Sequence, residues 1–157
     1  MGPSFSLVLL ACLALPAAAI DRFADVEITP FVHSSVQLEH AGKVIQVDPW
    51  SVGDLSRAKP ADLILITDDP GHHLDVKAIA RLRKPGAPVV IPANGRAKVP
   101  DGIVMSNGES RDVAGVRVEA IAAAASMRSR GTFIGKNATA MFFTARTSGT
   151  HSVTPAK

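Results

Sequence analysis

Side chains able to hold a metal ion crowd one short stretch of this chain. Asp68, Asp69, His72 and His73 lie between the apolar run Leu63-Ile-Leu-Ile66 and the pair Leu74-Asp75. One carboxylate and two imidazoles can form a three-ligand half-site that leaves a coordination position open for water. An ion held in that way polarises a scissile bond and lowers the pKa of its water, which is the chemistry of hydrolysis. His33, further upstream, could join Asp68, His72 and His73. Zn²⁺, Mn²⁺ or Fe²⁺ suits this mixed nitrogen and oxygen set. The same residues also admit a plainer reading. Asp68 and Asp69 before Pro70 fit an Asx-type turn that ends a strand. His72 and His73 fit polar surface near a helix start, with adjacent side chains pointing apart.

Other arrangements carry less chemistry. Ser34 and Ser35 beside His33 are sequence neighbours, which does not build a nucleophile and its base. No Gly-x-Ser-x-Gly elbow is present, and no Gly-rich phosphate loop. His40, next to Ala41-Gly42, reads as an exposed turn residue, and His151 sits in an irregular tail. Trp50, after Asp48-Pro49, reads as a packing anchor rather than a substrate platform. Asn137-Ala-Thr139 fits a glycosylation sequon, which matters only in a cell with that machinery.

The elements that must position these residues are strands first, then strands alternating with a helix. Val26 to His33, Val36 to Glu39 and Lys43 to Val47 read as a meander of β-branched and apolar runs bounded by turn signals. Asp62 to Ile66 is a continuous apolar run, expected of a strand buried on both faces. Asp75 can cap a helix reaching about Arg83, with Val76, Ile79, Ala80 and Leu82 inward. Pro85-Gly86 stops it. Pro88 to Ile91 and Ile103 to Met105 read as further strands, and strand-helix alternation favours parallel pairing.

The stretch Ala61-Asp-Leu-Ile-Leu-Ile-Thr67-Asp-Asp-Pro-Gly-His-His-Leu-Asp75 resembles the metal-binding loop of the metallo-β-lactamase superfamily. In that family the strand ends in Thr, then His-x-His-x-Asp-His, and Leu-Asp opens the next helix. The corresponding ligand positions here are Asp68, Pro70, His72 and His73, of which only His73 is unchanged. Ile28 to Pro49, with its Gly42-Lys43 turn and Asp48-Pro49 corner, is similar to the family's opening hairpin. Asn107-Gly-Glu-Ser110 and Val113 to Ile121 resemble a later hairpin, especially in the lactonase-like branch. The resemblance covers residues 26 to 122. It implies an α/β fold: the N-terminal half of an αββα sandwich, with a mixed sheet and a flanking helix. It also implies metal-dependent hydrolysis of an ester, lactone or phosphoester.

The departures from that pattern imply weakened or lost activity. Pro70 offers no donor atom, and His72 cannot serve as the carboxylate that orients water. A weak mononuclear site centred on His73 is the expectation, with a small-molecule substrate if the chain is active. The alternative is a non-catalytic binding module or a truncated remnant. The family's later His ligands and bridging Asp have no counterpart after residue 122, where Ser148-Gly149-Thr150 lacks the Asp.

Composition bounds the rest. A chain of 157 residues, 46% hydrophobic with no Tyr, suits one domain with an aliphatic core. Residues 1 to 19 read as a signal peptide, because an apolar run ends in Pro16-Ala-Ala-Ala19. The expectation is therefore an exported protein, periplasmic or secreted, with no transmembrane segment once the signal is cleaved. Cys12 is the only cysteine, so the mature chain would form no disulfide. Residues 20 to 125 would form the partial domain. Residues 126 to 157 form an irregular basic tail, with Arg128, Arg130, Lys136, Arg146 and Lys157 but no acid. The rest of the chain is slightly acidic, and no aromatics are interleaved with the cations, so nucleic-acid binding is not expected. A sheet face left uncovered would favour self-association.

Overall fold

The computed structural model describes residues 21–23, 25–122 and 139–144. Its centre is a seven-stranded mixed sheet in the order β1 to β7: Asp21–Phe23, Val26–Pro30, Val36–His40, Lys43–Val47, Leu63–Leu65, Val89–Ile91 and Ile103–Val104. The first four strands pair antiparallel, and β4 to β7 pair parallel. A second sheet has the order β10-β9-β8, from Thr139–Thr144, Val116–Ala122 and Ser110–Val113. This is a mixed-sheet α/β sandwich with, among the described residues, one flanking α-helix, as the resemblance implies.

Two hairpins show how local sequence sets this topology. Ala41 and Gly42 both have positive φ, 48° and 74°, between the paired residues His40 and Lys43. Ala114 and Gly115 repeat the arrangement at 52° and 76°, between Val113 and Val116. Two-residue loops with both φ positive match the right-handed twist of the strands they join. The step from β5 to β6 passes through helix α1, Val76–Leu82, the crossover that parallel strands need.

β5 separates two apolar layers. Leu63 and Leu65 join Leu38, Ile45 and Val90 against Val113, Val116, Val118 and Ala120 of the second sheet. Ile64 and Ile66 face the other way and pack with Ile79 of α1, Leu74, Val89 and Ile91. Each such fully buried side chain contributes about 1.5–3 kcal/mol relative to its exposed state. The central strand is thus buried on both faces.

Several boundaries differ from the sequence expectation. β2 stops at Pro30 rather than His33, because Phe31 and Ser35 close a turn in which His33 takes a positive φ of 56°. The buried stripe of α1 is Ala78, Ile79 and Leu82, while Val76 is 49% exposed and Ala80 lies in solvent. Asp75 caps the helix through Lys77 N and Ala78 N, and the positions three, four and seven residues on from it face the core. His40 is no open turn residue: its side chain is only 11% exposed and its ring contacts Asp25. Phe142 and Phe143 fall in β10. The N-terminal segment, Cys12, Asn137 and His151 lie outside the described residues, as does most of the basic tail. Among the described residues no helix is long and apolar enough to cross a membrane.

Candidate metal centre

Parallel strands β4 and β5 end side by side, and the groups that follow them meet above the sheet. Open α/β sheets bind ligands beyond the carboxyl ends of their strands. Asp48 follows β4 with a positive φ of 43°, an uncommon backbone state for a residue other than glycine. Its N–H donates to Leu65 O at 3.0 Å. Its carboxylate is 1% exposed and accepts from Thr67 N at 2.8 Å and Thr67 Oγ1 at 2.6 Å. The same carboxylate meets His73 Nδ1 at 2.7 Å. Burial pushes the Asp48 carboxyl above its usual range, and the bonds from Thr67 and His73 pull it partly back.

That geometry assigns the His73 tautomer. Nδ1 gives its proton to Asp48, its shortest contact, in preference to Thr67 Oγ1 at 3.1 Å or Ser34 Oγ at 3.3 Å. Nε2 is then a free acceptor. A carboxylate behind a ligating imidazole fixes the ring and raises its basicity.

The loop after Thr67 brings the second imidazole beside the first. His73 N and Leu74 N both donate to Pro70 O at 2.8 Å, which winds Pro70–Leu74 into a turn. Neighbouring side chains therefore do not point apart as they would in a strand. The rings of His72 and His73 have centroids 4.5 Å apart. His33 reaches over from the turn between β2 and β3, its ring 4.6 Å from His72 and 5.8 Å from His73. One ligand atom from each of His33, His72 and His73 lies within 4.8 Å of the others, the single such group among the described residues. Desolvation depresses the His72 pKa, helped by the neighbouring His73 and His33. Both effects favour the neutral form of His72, the form that can ligate.

Of the residues expected from sequence, the fold gathers His33, His72 and His73 and leaves Asp68 aside. Asp68 Oδ1 accepts from Asp69 N at 2.8 Å and Asn94 Nδ2 at 3.3 Å, a tie to the next residue rather than the expected Asx turn, whose donor two residues on would be the N–H that Pro70 lacks. Trp50 stands closer to the centre than a remote packing anchor would. Its ring sits edge-on to His33 and His72 at 6.0 and 6.3 Å, forming a wall. Sequence reasoning missed Asp48 and Thr67 as partners of His73. The available signal was an acid directly after an apolar strand at the Asp48-Pro49 corner. Three imidazole nitrogens able to converge on one point fit a single divalent ion with an open position.

Comparison with known proteins gives the family and the fold. A family model described as Beta-lactamase superfamily domain matches residues 27–150. A protein assigned as a metal-dependent hydrolase from Parabacteroides distasonis is 28% identical, with a TM-score of 0.73 over 82% of this chain and 62% of its own. A metallo hydrolase from the hyperthermophilic archaeon Ignicoccus hospitalis shares 20% identity and a TM-score of 0.58, over 76% of this chain and 56% of that one. A diiron β-hydroxylase from Streptomyces venezuelae shares 17% identity and a TM-score of 0.56, over 78% of this chain and 28% of its own. The last two likenesses are of fold. This chain spans less than two thirds of the length of each. No curated protein matches it significantly.

Proposed function

Because the chain belongs to the Beta-lactamase superfamily domain family, we propose that it binds one divalent ion, Zn²⁺, Mn²⁺ or Fe²⁺, through His33, His72 and His73. We further propose that it carries an attenuated hydrolytic activity toward an ester, lactone or phosphoester. The observation behind this reading is the convergence of three imidazoles, one of them oriented by a buried carboxylate. A bound ion supplies Lewis acidity and a water of lowered pKa. The chain's own residues do the rest. His33, His72 and His73 hold the ion, Asp48 fixes the His73 tautomer, and Trp50 shields one side from water. The attenuation follows from the donor set, which contains no carboxylate to orient the attacking water. Asp48 is already committed to Thr67 and His73.

Metal analysis of purified protein, paired with an ester, lactone and phosphoester screen, tests this. One ion per chain is expected, with slow turnover that His73→Ala abolishes. Two tight sites would overturn the mononuclear reading. One ion without turnover would favour the alternative, a non-catalytic binding module. Export is a separate proposal. The mature chain would begin near Ile20, just before β1, and N-terminal sequencing that finds Met1 retained would refute it. Self-association is proposed as well, and sedimentation of a strictly monomeric protein would refute that.

A further inference from the structure

Beside the imidazole cluster lies a cleft of about 580 Å³ to which no ligand is yet assigned. Its lining residues Ser51, Gly71 and Leu74 are the chain neighbours of Trp50, His72 and His73. Leu74 and Val76 give it apolar surface, and Lys77 and Lys98 flank it. Val76 is 49% exposed here, so the cleft offers carbon as well as charge. The one acid that lines it is already satisfied. Asp75 accepts from Ser51 N at 2.9 Å, Ser51 Oγ at 2.5 Å, Lys77 N at 2.9 Å and Ala78 N at 3.3 Å. The two lysines differ in tethering. Lys98 Nζ donates to Asp69 O at 2.5 Å, which fixes the ammonium near the cleft and leaves it two further N–H groups. Lys77 makes no ion pair among the described residues.

We propose that this cleft seats the anionic end of the substrate, a carboxylate or phosphate, with adjoining carbons against Leu74 and Val76. The proposal rests on the hydrolase reading only for where the scissile bond lies, at the imidazoles. Two ammonium groups at a concave, partly apolar surface draw an anion and bond it more strongly than a neutral group. A neutral ester or lactone would leave both ammonium charges without an anionic partner in the cleft. The substrate class is therefore a small anionic molecule rather than a neutral one.

Calorimetric titration with phenyl phosphate, and with phenol as the neutral control, tests the cleft independently of turnover. Chelator-treated protein keeps the probe off any metal. Phenyl phosphate should bind to it, and binding should weaken as salt is added, whereas phenol should not bind. Lys77→Gln should weaken binding about tenfold, and Lys77→Arg should retain most of it, as a charge-assisted contact requires. Lys98→Gln should weaken it too. Lys77→Gln is the cleaner variant, because its side chain holds no other structure together. Unchanged affinity in both glutamine variants, or no binding to the metal-free chain, would overturn the proposal. So would binding that appears only after zinc loading, vanishes in His73→Ala and ignores Lys77. If zinc fails to bind but lysine-dependent phenyl phosphate binding remains, the hydrolase reading fails and the cleft stands.

Discussion

The β3–β4 hairpin carries a His–Asp pair at each end, and the two ends differ in everything but residue type. At the turn end His40 Nδ1 lies 3.3 Å from Asp25 Oδ2, with Asp25 57% exposed. At the other end His73 Nδ1 lies 2.7 Å from Asp48 Oδ2, with Asp48 1% exposed. Water competes freely for Asp25, so its pair contributes little. Asp48 has no such alternative, and its lone pairs are taken by Thr67 and His73. Burial turns the same two side chains from a surface contact into a device that fixes a tautomer. A third imidazole beside His73 then has a neighbour with a defined free nitrogen. Among the described residues no such imidazole group surrounds His40.

The sharpest test of this contrast is zinc titration of paired variants. His73→Ala should lower affinity by well over about 100-fold, more than loss of an outer partner does. His40→Ala and His151→Ala should leave it unchanged. Equal losses at His73 and His40 would erase the distinction. Next in size, Asp48→Asn should weaken zinc binding about 10–100-fold through the His73 tautomer, whereas Asp25→Asn should do nothing measurable. The free energy of unfolding should separate the same two positions. Asp48→Ala should cost about 3 kcal/mol, the lower end for breaking a buried pair, against less than about 1 kcal/mol for Asp25→Ala.

Packing around the buried end predicts a further difference. A Cβ on Gly53 would collide with Val32 Cγ1, next to His33 and under the loop that carries Trp50. Gly53→Ala should cost about 1–3 kcal/mol by overpacking and move Trp50, read as a change in its fluorescence. Gly42→Ala, with open space around its Cβ but a positive φ of 74°, should strain the backbone alone and leave the Trp50 signal unchanged.

The smallest effect calibrates the scale between the two ends. Asp62 is 28% exposed, and the Lys84 ammonium at 2.7 Å, with the Val44 N–H, holds its carboxyl below the usual range. A depressed carboxyl contributes stability above its unfolded pKa and loses that contribution as pH falls through the lower folded value. Urea midpoints should therefore drop more steeply below about pH 4 in the wild type than in Asp62→Asn. The difference should stay under about 1 kcal/mol. Parallel acid limbs would mean the pair is as idle as Asp25 and His40.

How much of this the sequence revealed depended on how local the cause was. The buried strand at Leu63–Leu65, the Asp75 cap and the Ala41-Gly42 turn each follow from a few adjacent residues, and each is present. The helix was expected in the right place but rotated, since Val76 and Ala80 are apolar yet the Asp75 cap and the sheet set the inward stripe. At the site, His72 and His73 announced themselves by proximity in sequence. His33 was visible as a candidate, but that it comes in while Asp68 stays out was not legible. It depends on a positive φ at His33 and on contacts between segments far apart in sequence. Asp48 was visible only as a corner before a proline, because its role depends on Thr67 and His73 across the strand ends.

The turn that winds Pro70–Leu74 is tied by main-chain atoms: two N–H groups on the Pro70 carbonyl. No side chain at position 70 or 72 takes part in those ties. The loop's shape is therefore inherited separately from the identity of the side chains it displays. A lineage could exchange donors at 70 and 72 without refolding the loop, losing or regaining coordination one codon at a time. Seen that way, positions 70 and 72 are display sites on a main-chain stencil, and the shortest route to a richer donor set here runs through substitution alone.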